Sequence, residues 1–172
     1  AASDVYKRQV LNKKTMEKRV SLMLKNRGDK YVIFYMVDLD NFKNVNDTLG
    51  HIYGDQAIVE TAQCLNKVFA NQDCIGRLGG DEFAVCVSYQ AFDEQGLLEF
   101  IGKKAQEICA GNRRTYTDNV SSVSITSSIG VAYAPDMGDS FTELYTQADC
   151  ALYYSKANGK DQYHIYSPKD DN

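Results

Sequence analysis

The stretch Gly79-Gly80-Asp81-Glu82-Phe83 lies between two short, mostly apolar segments, residues 74–78 and 83–87. Both segments are predicted to be strands. The glycine pair predicts a tight hairpin between them, because glycine adopts positive φ angles without steric cost. Two carboxylates at a hairpin tip repel each other unless a cation or a hydrogen-bond donor compensates. Asp81 and Glu82 therefore indicate a metal site.

A second acidic cluster, Asp38-Leu39-Asp40, follows the most hydrophobic stretch of the chain, residues 31–37. That stretch has the pattern of a buried strand. Two strand ends would then present oxygen ligands to one place, with Asp38 and Asp81 as the candidate ligands. Hard cations such as Mg²⁺ take oxygen ligands, and a pair of them can activate an attacking hydroxyl and stabilise a leaving oxygen. The alternative is that each acid only caps a helix or is solvated at a strand end.

Hydrophobic periodicity along the chain predicts alternating helices and strands. Helices are expected near residues 12–26, 41–49, 52–69, 94–109 and 144–155. Strands are expected at 31–38, 74–78, 83–87, 123–133 and 163–166. Strands mixed with helices, with one direct hairpin, indicate an α+β fold in which helices pack on a mixed sheet. The length of 172 residues suits a single domain, which we expect at residues 10–167 with a tail at 168–172.

Composition excludes several classes of function. A formal net charge of −4 argues against a general nucleic-acid-binding protein. Five widely spread cysteines suit reduced core thiols better than disulfides, which predicts a cytoplasmic location. We expect no membrane contact by this segment, because no apolar run is long enough to cross a bilayer.

Three segments in this order resemble the signature of the GGDEF family of diguanylate cyclases: residues 38–55, residues 79–83 and residues 148–161. The first matches D-x-D-x-F-K-x-x-N-D-x-x-G-H-x-x-G-D, the second G-G-[DE]-E-F and the third A-D-x-A-L-Y-x-A-K-x-x-G-[RK]-[ND]. The resemblance implies a five-stranded sheet related to nucleotidyl cyclase and polymerase palm domains. It also implies that two GTP molecules are condensed into cyclic di-GMP with release of two pyrophosphates.

The resemblance further implies roles for the acidic residues. Asp38, the carbonyl of Leu39, Asp81 and Glu82 would hold two Mg²⁺ ions per active site, with Mn²⁺ as a substitute. The catalytic hairpin would comprise Gly79, Gly80, Asp81 and Glu82. Glu82 either ligates the second ion or helps to deprotonate the attacking 3′-hydroxyl, and an electrostatic bystander is an equal alternative.

The substrate would be GTP. Asn46 and Asp55 match the family positions that bind guanine, although Asp55 could instead be a helix N-cap. The candidate phosphate contacts are Lys43, Lys156 and Lys160, together with Phe42, which also suits the core. The alternative for the lysines is simple solvation. Lys156 and Lys160 are four residues apart and are expected to meet on one helical face.

Catalysis by this family implies a homodimer in which each protomer holds one GTP. Residues 4–9 match the translation of a transposon adapter used in sequencing, so residues 1–9 are expected to be an artefact and an upstream sensory or dimerising region to be missing. The rival hypothesis is a catalytically silent GTP-binding or interaction module of the same fold.

Many relatives carry an inhibitory product site, R-x-x-D, just before the hairpin motif. This chain reads Ala70-Asn71-Gln72-Asp73 there, so the aspartate is present but the arginine is replaced. We therefore expect weak or absent feedback inhibition through this site.

Overall fold

The protein was analysed as a computed structural model that describes residues 10–69 and 74–171. The expectations for residues 1–9 and for the segment 70–73 concern residues outside this description, and both stay predictions. The described residues form one sheet with helices on both faces.

Seven strands and five α-helices are present in the described part of the chain. The strands are β1 (Leu11–Asn12), β2 (Tyr31–Asp40), β3 (Cys74–Gly79), β4 (Glu82–Tyr89), β5 (Arg114–Thr117), β6 (Ser122–Ala134) and β7 (Tyr163–Ile165). The helices are α1 (Lys13–Lys25), α2 (Phe42–Leu49), α3 (His51–Phe69), α4 (Glu94–Asn112) and α5 (Phe141–Ala157). A short 3₁₀ helix spans Pro168–Asp171.

The sheet has the strand order β1-β3-β4-β2-β6-β5, and β7 pairs with β6 off this path. β2 is central and pairs antiparallel with both β4 and β6. The pairs β1–β3 and β6–β7 are parallel, so the sheet is mixed. The predicted α+β class is therefore confirmed.

Side chains of β2 alternate between two hydrophobic cores because successive strand residues point to opposite faces. Ile33, Tyr35 and Val37 pack in one core with residues of α3 and α4. Val32, Phe34 and Met36 pack in the other with residues of α1 and α5. Helices thus cover both faces, which explains why this strand is apolar along nearly its whole length.

The predicted count of five strands was too low. The two additional strands are β1 and β5. β1 has only two residues, too few for any periodic signal. β5 reads Arg-Thr-Tyr-Thr and has a single buried residue, Tyr116, so it lacks an apolar alternation.

The predicted domain boundary at residue 167 stays a prediction. The segment after it is held against the domain by polar contacts of Asp170. Its carboxylate accepts a hydrogen bond from the Ser167 N–H at 2.7 Å and pairs with Nε2 of His164 at 2.9 Å.

Candidate active site

The hairpin between β3 and β4 turns through Gly80 and Asp81. Gly79 pairs with Glu82, so the connection is a two-residue loop, and Gly80 has a φ of 34° that favours glycine. The guanidinium of Arg77 braces this turn, because its Nε donates a hydrogen bond to the Gly80 carbonyl at 2.8 Å. The predicted tight glycine turn is present.

Strand pairing brings the two acidic clusters together. Asp38 lies opposite Glu82 in the register of β2 and β4. The N–H of Leu39 donates a hydrogen bond to the carbonyl of Asp81 at 3.2 Å, so the hairpin tip is tied to the end of β2. Residues more than 40 positions apart in the sequence thus form one acidic site.

The pKa values of two carboxylates in the site, Asp38 and Glu82, are raised. The pKa of Asp38 is raised to about 6, mainly by burial and further by the neighbouring Asp81, although Lys156 opposes the shift. The pKa of Glu82 is also raised, by burial first and then by the charges of Asp149 and Asp81. Partly desolvated carboxylates that repel one another are stabilised when a cation joins them.

The residues present fit a divalent cation. Oδ1 of Asp38 is buried and has no hydrogen-bond partner among the described residues, which leaves an acceptor available to an ion. No group of three or more His, Cys, Asp or Glu side chains within 10–69 and 74–171 forms a complete metal site. A cation here would therefore complete its shell with a backbone carbonyl, water and phosphate oxygens, as Mg²⁺ does in nucleotide sites.

A cavity of about 390 Å³ adjoins this acidic site. It is lined by Leu39, Asn41, Phe42, Lys43, Asn44, Asp47 and Asp81. The start of α2 therefore borders the cavity, and the first N–H groups of a helix lack intrahelical partners. Lys43 is exposed, whereas Phe42 is half-buried and packs against the core. Such a cavity can accept an anionic group beside a bound cation.

Lys156 lies at the centre of the acidic site. Its Nζ is 2.8 Å from Oδ1 of Asp40 and 3.2 Å from Oδ2 of Asp38. Burial disfavours the charged amine, yet the contacts with Asp40 and Asp38 outweigh it and raise the pKa of Lys156. The charged Lys156 amine is therefore fixed by ion pairs and is not freely solvated.

The expectation that Lys156 and Lys160 share a helical face was wrong. α5 ends at Ala157, and Gly159 then takes a φ of 113°. Lys160 follows in the left-handed region with a φ of 61° and is exposed. Asn158 and Gly159 end the helix, so Lys160 is not part of it.

Asn46 and Asp55 lie on the consecutive helices α2 and α3. The side chain of Asn46 packs on buried Gly54 so closely that a Cβ on Gly54 would overlap its Oδ1. Asp55 is the next residue and is exposed. Because α3 begins at His51, Asp55 lies inside the helix, and the alternative that it is an N-cap was wrong. The structure thus brings Asn46 beside the backbone that carries Asp55.

The described lining of the 390 Å³ cavity does not include Asn46, Asp55, Glu82, Lys156 or Lys160. A larger cavity of about 630 Å³ lies along α4 and Tyr163 and shares no described lining residue with the acidic site. None of its lining residues belongs to the three motif segments, so we assign it no part in the chemistry of the site.

The sequence did not single out the structural roles of two residues at the site, Asp40 and Gly54. Asp40 was noted only as part of an acidic cluster, but its carboxylate is buried and accepts several hydrogen bonds. A charged residue at the end of a strongly apolar strand was the available signal. Gly54 is a fixed position of the signature matched at residues 38–55, but the reason for glycine there, the Asn46 side chain on another helix, is visible only in the structure.

Comparison with known proteins identifies the family of this chain. A family model described as "Diguanylate cyclase, GGDEF domain" matches residues 6–162. The chain therefore belongs to the GGDEF family.

Individual relatives are similar over most of the chain. The bifunctional diguanylate cyclase/cyclic di-GMP phosphodiesterase MucR of Pseudomonas aeruginosa is 34% identical over 141 residues, which are 81% of this chain and 20% of MucR. The GGDEF domain of TpbB (YfiN) from Pseudomonas aeruginosa superposes with a TM-score of 0.84 at 28% identity, covering 94% of this chain and 93% of that one. The GGDEF domain of DgcB from Caulobacter crescentus, in complex with c-di-GMP, gives a TM-score of 0.77 at 27% identity, covering 91% of each chain.

The chain spans about a fifth of the length of the first curated relatives that it matches. Over the residues that the structure describes, no helix combines the length and the apolar character needed to span a bilayer.

Proposed function

We propose that this domain is a diguanylate cyclase that condenses two GTP molecules into cyclic di-GMP and two pyrophosphates. The observation that carries the proposal is the proximity of the Asp38 and Asp81 carboxylates beside Lys156, in a chain of the GGDEF family. An acidic pair with an unpartnered, buried carboxylate oxygen suits a divalent cation, and the adjoining cavity suits phosphate.

Asp38, Asp81, Glu82 and the Leu39 carbonyl would hold two Mg²⁺ ions, or Mn²⁺ in their place. When bound, these ions would supply charge neutralisation on the α-phosphate and the leaving pyrophosphate. Glu82 would either ligate the second ion or, if it is not a ligand, accept the 3′-hydroxyl proton, a role that the raised pKa of this residue in the metal-free protein supports.

The substrate-binding residues divide between the two ends of GTP. Asn46 and Asp55 bind the guanine. A carboxylate accepts hydrogen bonds from N1 and N2 of guanine, whereas adenine lacks that pattern of donors. Lys43, Lys156 and Lys160, with the backbone at Phe42, bind the triphosphate. The side chain of Phe42 anchors the start of α2 in the core.

Each protomer would present one GTP to its partner in a homodimer. The 3′-oxygen of one GTP attacks the α-phosphorus of the other, and a new phosphodiester bond forms. The bond between that α-phosphorus and the oxygen bridging to the β-phosphate breaks. The hydroxyl proton passes to Glu82 or to water. Two such steps release two pyrophosphates and close the ring.

The cellular setting follows from the same proposal. The domain would work in the cytoplasm, and an upstream region would sense the signal or drive dimerisation. The adapter-like residues 4–9 support the proposal that residues 1–9 are an artefact. Residues 10–167 would be the catalytic domain.

Incubation with GTP and Mg²⁺ tests the activity, with chromatography for cyclic di-GMP and a separate assay for pyrophosphate. We expect two pyrophosphates per cyclic di-GMP and a specific activity that rises with protein concentration as dimers form. GTP binding without product at any concentration would identify a silent module instead. Replacing Asp55 by alanine should weaken GTP binding and reduce the preference for GTP over ATP.

A further inference from the structure

The carboxylate of Asp40 lies beside the acidic site, and both of its oxygens accept hydrogen bonds. Asp40 is 3% exposed and lies in β2 opposite Thr126 of β6. The hydroxyls of Thr126 and Ser128 donate to its two oxygens at 2.6 and 2.7 Å. Lys156 Nζ donates at 2.8 Å and the backbone N–H of Asp161 at 3.2 Å. With four donors the acceptor capacity of this carboxylate is filled, and no lone pair is left for a metal ion. Its role therefore lies in the groups that it binds.

The backbone that carries Lys156 is fixed independently of Asp40. α5 lies directly on Gly130 of β6, where a Cβ would overlap the backbone of Ala148 and Leu152. The preceding residue, Ser155, donates a hydrogen bond to the Ile129 carbonyl at 2.8 Å. With this backbone held, only the long side chain of Lys156 retains rotamer freedom, and a lysine side chain loses much entropy when it is ordered.

Asp40 removes that freedom at two points. Its Oδ1 fixes Nζ of Lys156 beside Asp38, and its Oδ2 fixes the turn after α5 through the N–H of Asp161. Asp161 has a left-handed φ of 49° and the preceding Lys160 a φ of 61°. Such angles are strained for residues other than glycine, and Asp40 is one of the groups that hold the turn, together with Arg113, which pairs with the Asp161 carboxylate at 2.9 Å.

We propose that Asp40 is a positioning residue that orients the Lys156 amine toward the phosphates of the nucleotide. This inference rests on the proposed function for the identity of the substrate. Asp40 acts through Lys156 and does not touch the nucleotide or a metal. Its effect is therefore specific to the triphosphate and depends on the presence of the Lys156 amine.

A double-mutant cycle tests this proposal. The variants Asp40→Asn, Lys156→Met and the double variant are compared with wild type for binding of 3′-deoxy-GTP, which cannot be cyclised, and of guanosine, in the presence of Mg²⁺. We expect Asp40→Asn to weaken 3′-deoxy-GTP binding about tenfold, as for loss of a charge-assisted hydrogen bond. Guanosine binding should change less than about twofold. In the Lys156→Met background the Asp40→Asn effect should also shrink below about twofold.

Glu60→Gln is the matched control for general destabilisation. Glu60 pairs with Arg114 at 3.4 Å in another polar network, so this variant makes the same chemical change away from the site. It should lower the thermal midpoint without weakening 3′-deoxy-GTP binding. If Asp40→Asn fails to fold, the pair Thr126→Val and Ser128→Ala loosens the same carboxylate and should weaken the triphosphate selectively, to a smaller extent.

The proposal is overturned if Asp40→Asn, or the hydroxyl variants in its place, bind 3′-deoxy-GTP as wild type does. It is also overturned if the loss is equal for guanosine or persists undiminished in the Lys156→Met background. These outcomes are separate from failure of the proposed function, which would appear as absence of cyclic di-GMP from the wild-type protein.

Discussion

Asp38 and Glu82 lie opposite each other across the β2–β4 ladder, at the end where the hairpin returns toward the sheet. Directly paired carboxylates destabilise a sheet when both are charged. Here Asp81 adds a third acid beside them, and the pKa values of Asp38 and Glu82 are both raised. The sheet therefore carries a local electrostatic cost that a bound cation would relieve.

Replacing Asp81 by asparagine should remove one candidate ligand while leaving the hairpin intact, because the turn depends on Gly80. We expect cyclic di-GMP formation to fall about 100-fold or more, as metal binding is lost. Product is measured by chromatography at several Mg²⁺ concentrations. Thermal unfolding without metal should show no loss of stability, and activity at the wild-type level would contradict the assignment of Asp81.

The raised pKa of Asp38 predicts a pH-dependent stability. A carboxyl group with a folded-state pKa of about 6, above its usual 3.8, destabilises the metal-free fold once the pH exceeds the unfolded pKa, and the cost is complete above pH 6. Asp38→Asn should then stabilise the metal-free protein by about 1–3 kcal/mol at pH 8. The advantage should shrink from pH 6 downward and vanish near pH 4.

Urea unfolding of wild type and Asp38→Asn without metal, at pH 4 to 8, measures this difference. A stability difference that stays constant with pH would show that Asp38 is not the titrating group. With Mg²⁺ present, wild-type affinity for the ion should fall as the pH drops through 6, because a protonated carboxyl is a poor ligand.

Gly54→Ala should affect nucleotide binding more than folding. The added Cβ would displace the Asn46 side chain from its position on α3, while alanine itself favours a helix. We expect the KM for GTP to rise about tenfold, in the range of a lost hydrogen bond to the base. Gly102→Ala is the matched control, since its Cβ would likewise overlap the end of a side chain, the hydroxyl of Tyr163, but outside the site. A KM unchanged from wild type would contradict the role of Asn46.

Gly130→Ala should destabilise the whole domain. Its Cβ would overlap backbone atoms of α5, which cannot rotate away as a side chain can. We expect a loss of about 3 kcal/mol or more, a drop of roughly 6 to 12 °C in Tm. Gly79→Ala is the control for stability, because nothing lies within 4 Å of its added Cβ. Equal midpoints for the two variants would mean that α5 can shift off β6.

Local sequence pattern was sufficient for the α+β class, the order of the helices, the five principal strands and the hairpin. Burial and backbone geometry act over a few residues, so apolar periodicity and a glycine pair record them directly. The motif segments likewise named Asp38, Asp81 and Lys156 as candidates, because residue type and spacing are properties of the chain alone.

Tertiary structure decided the contacts between distant segments. Asp40 gained its four partners only when β6 and the turn after α5 came together around β2. The separation of Lys160 from the face of Lys156 is instead local, since the helix ends at Ala157 and Gly159 then takes a φ of 113°. The contacts of Asp40 depend on which elements meet in space, because the hydrogen bonds that compensate a buried charge come from distant segments of the chain.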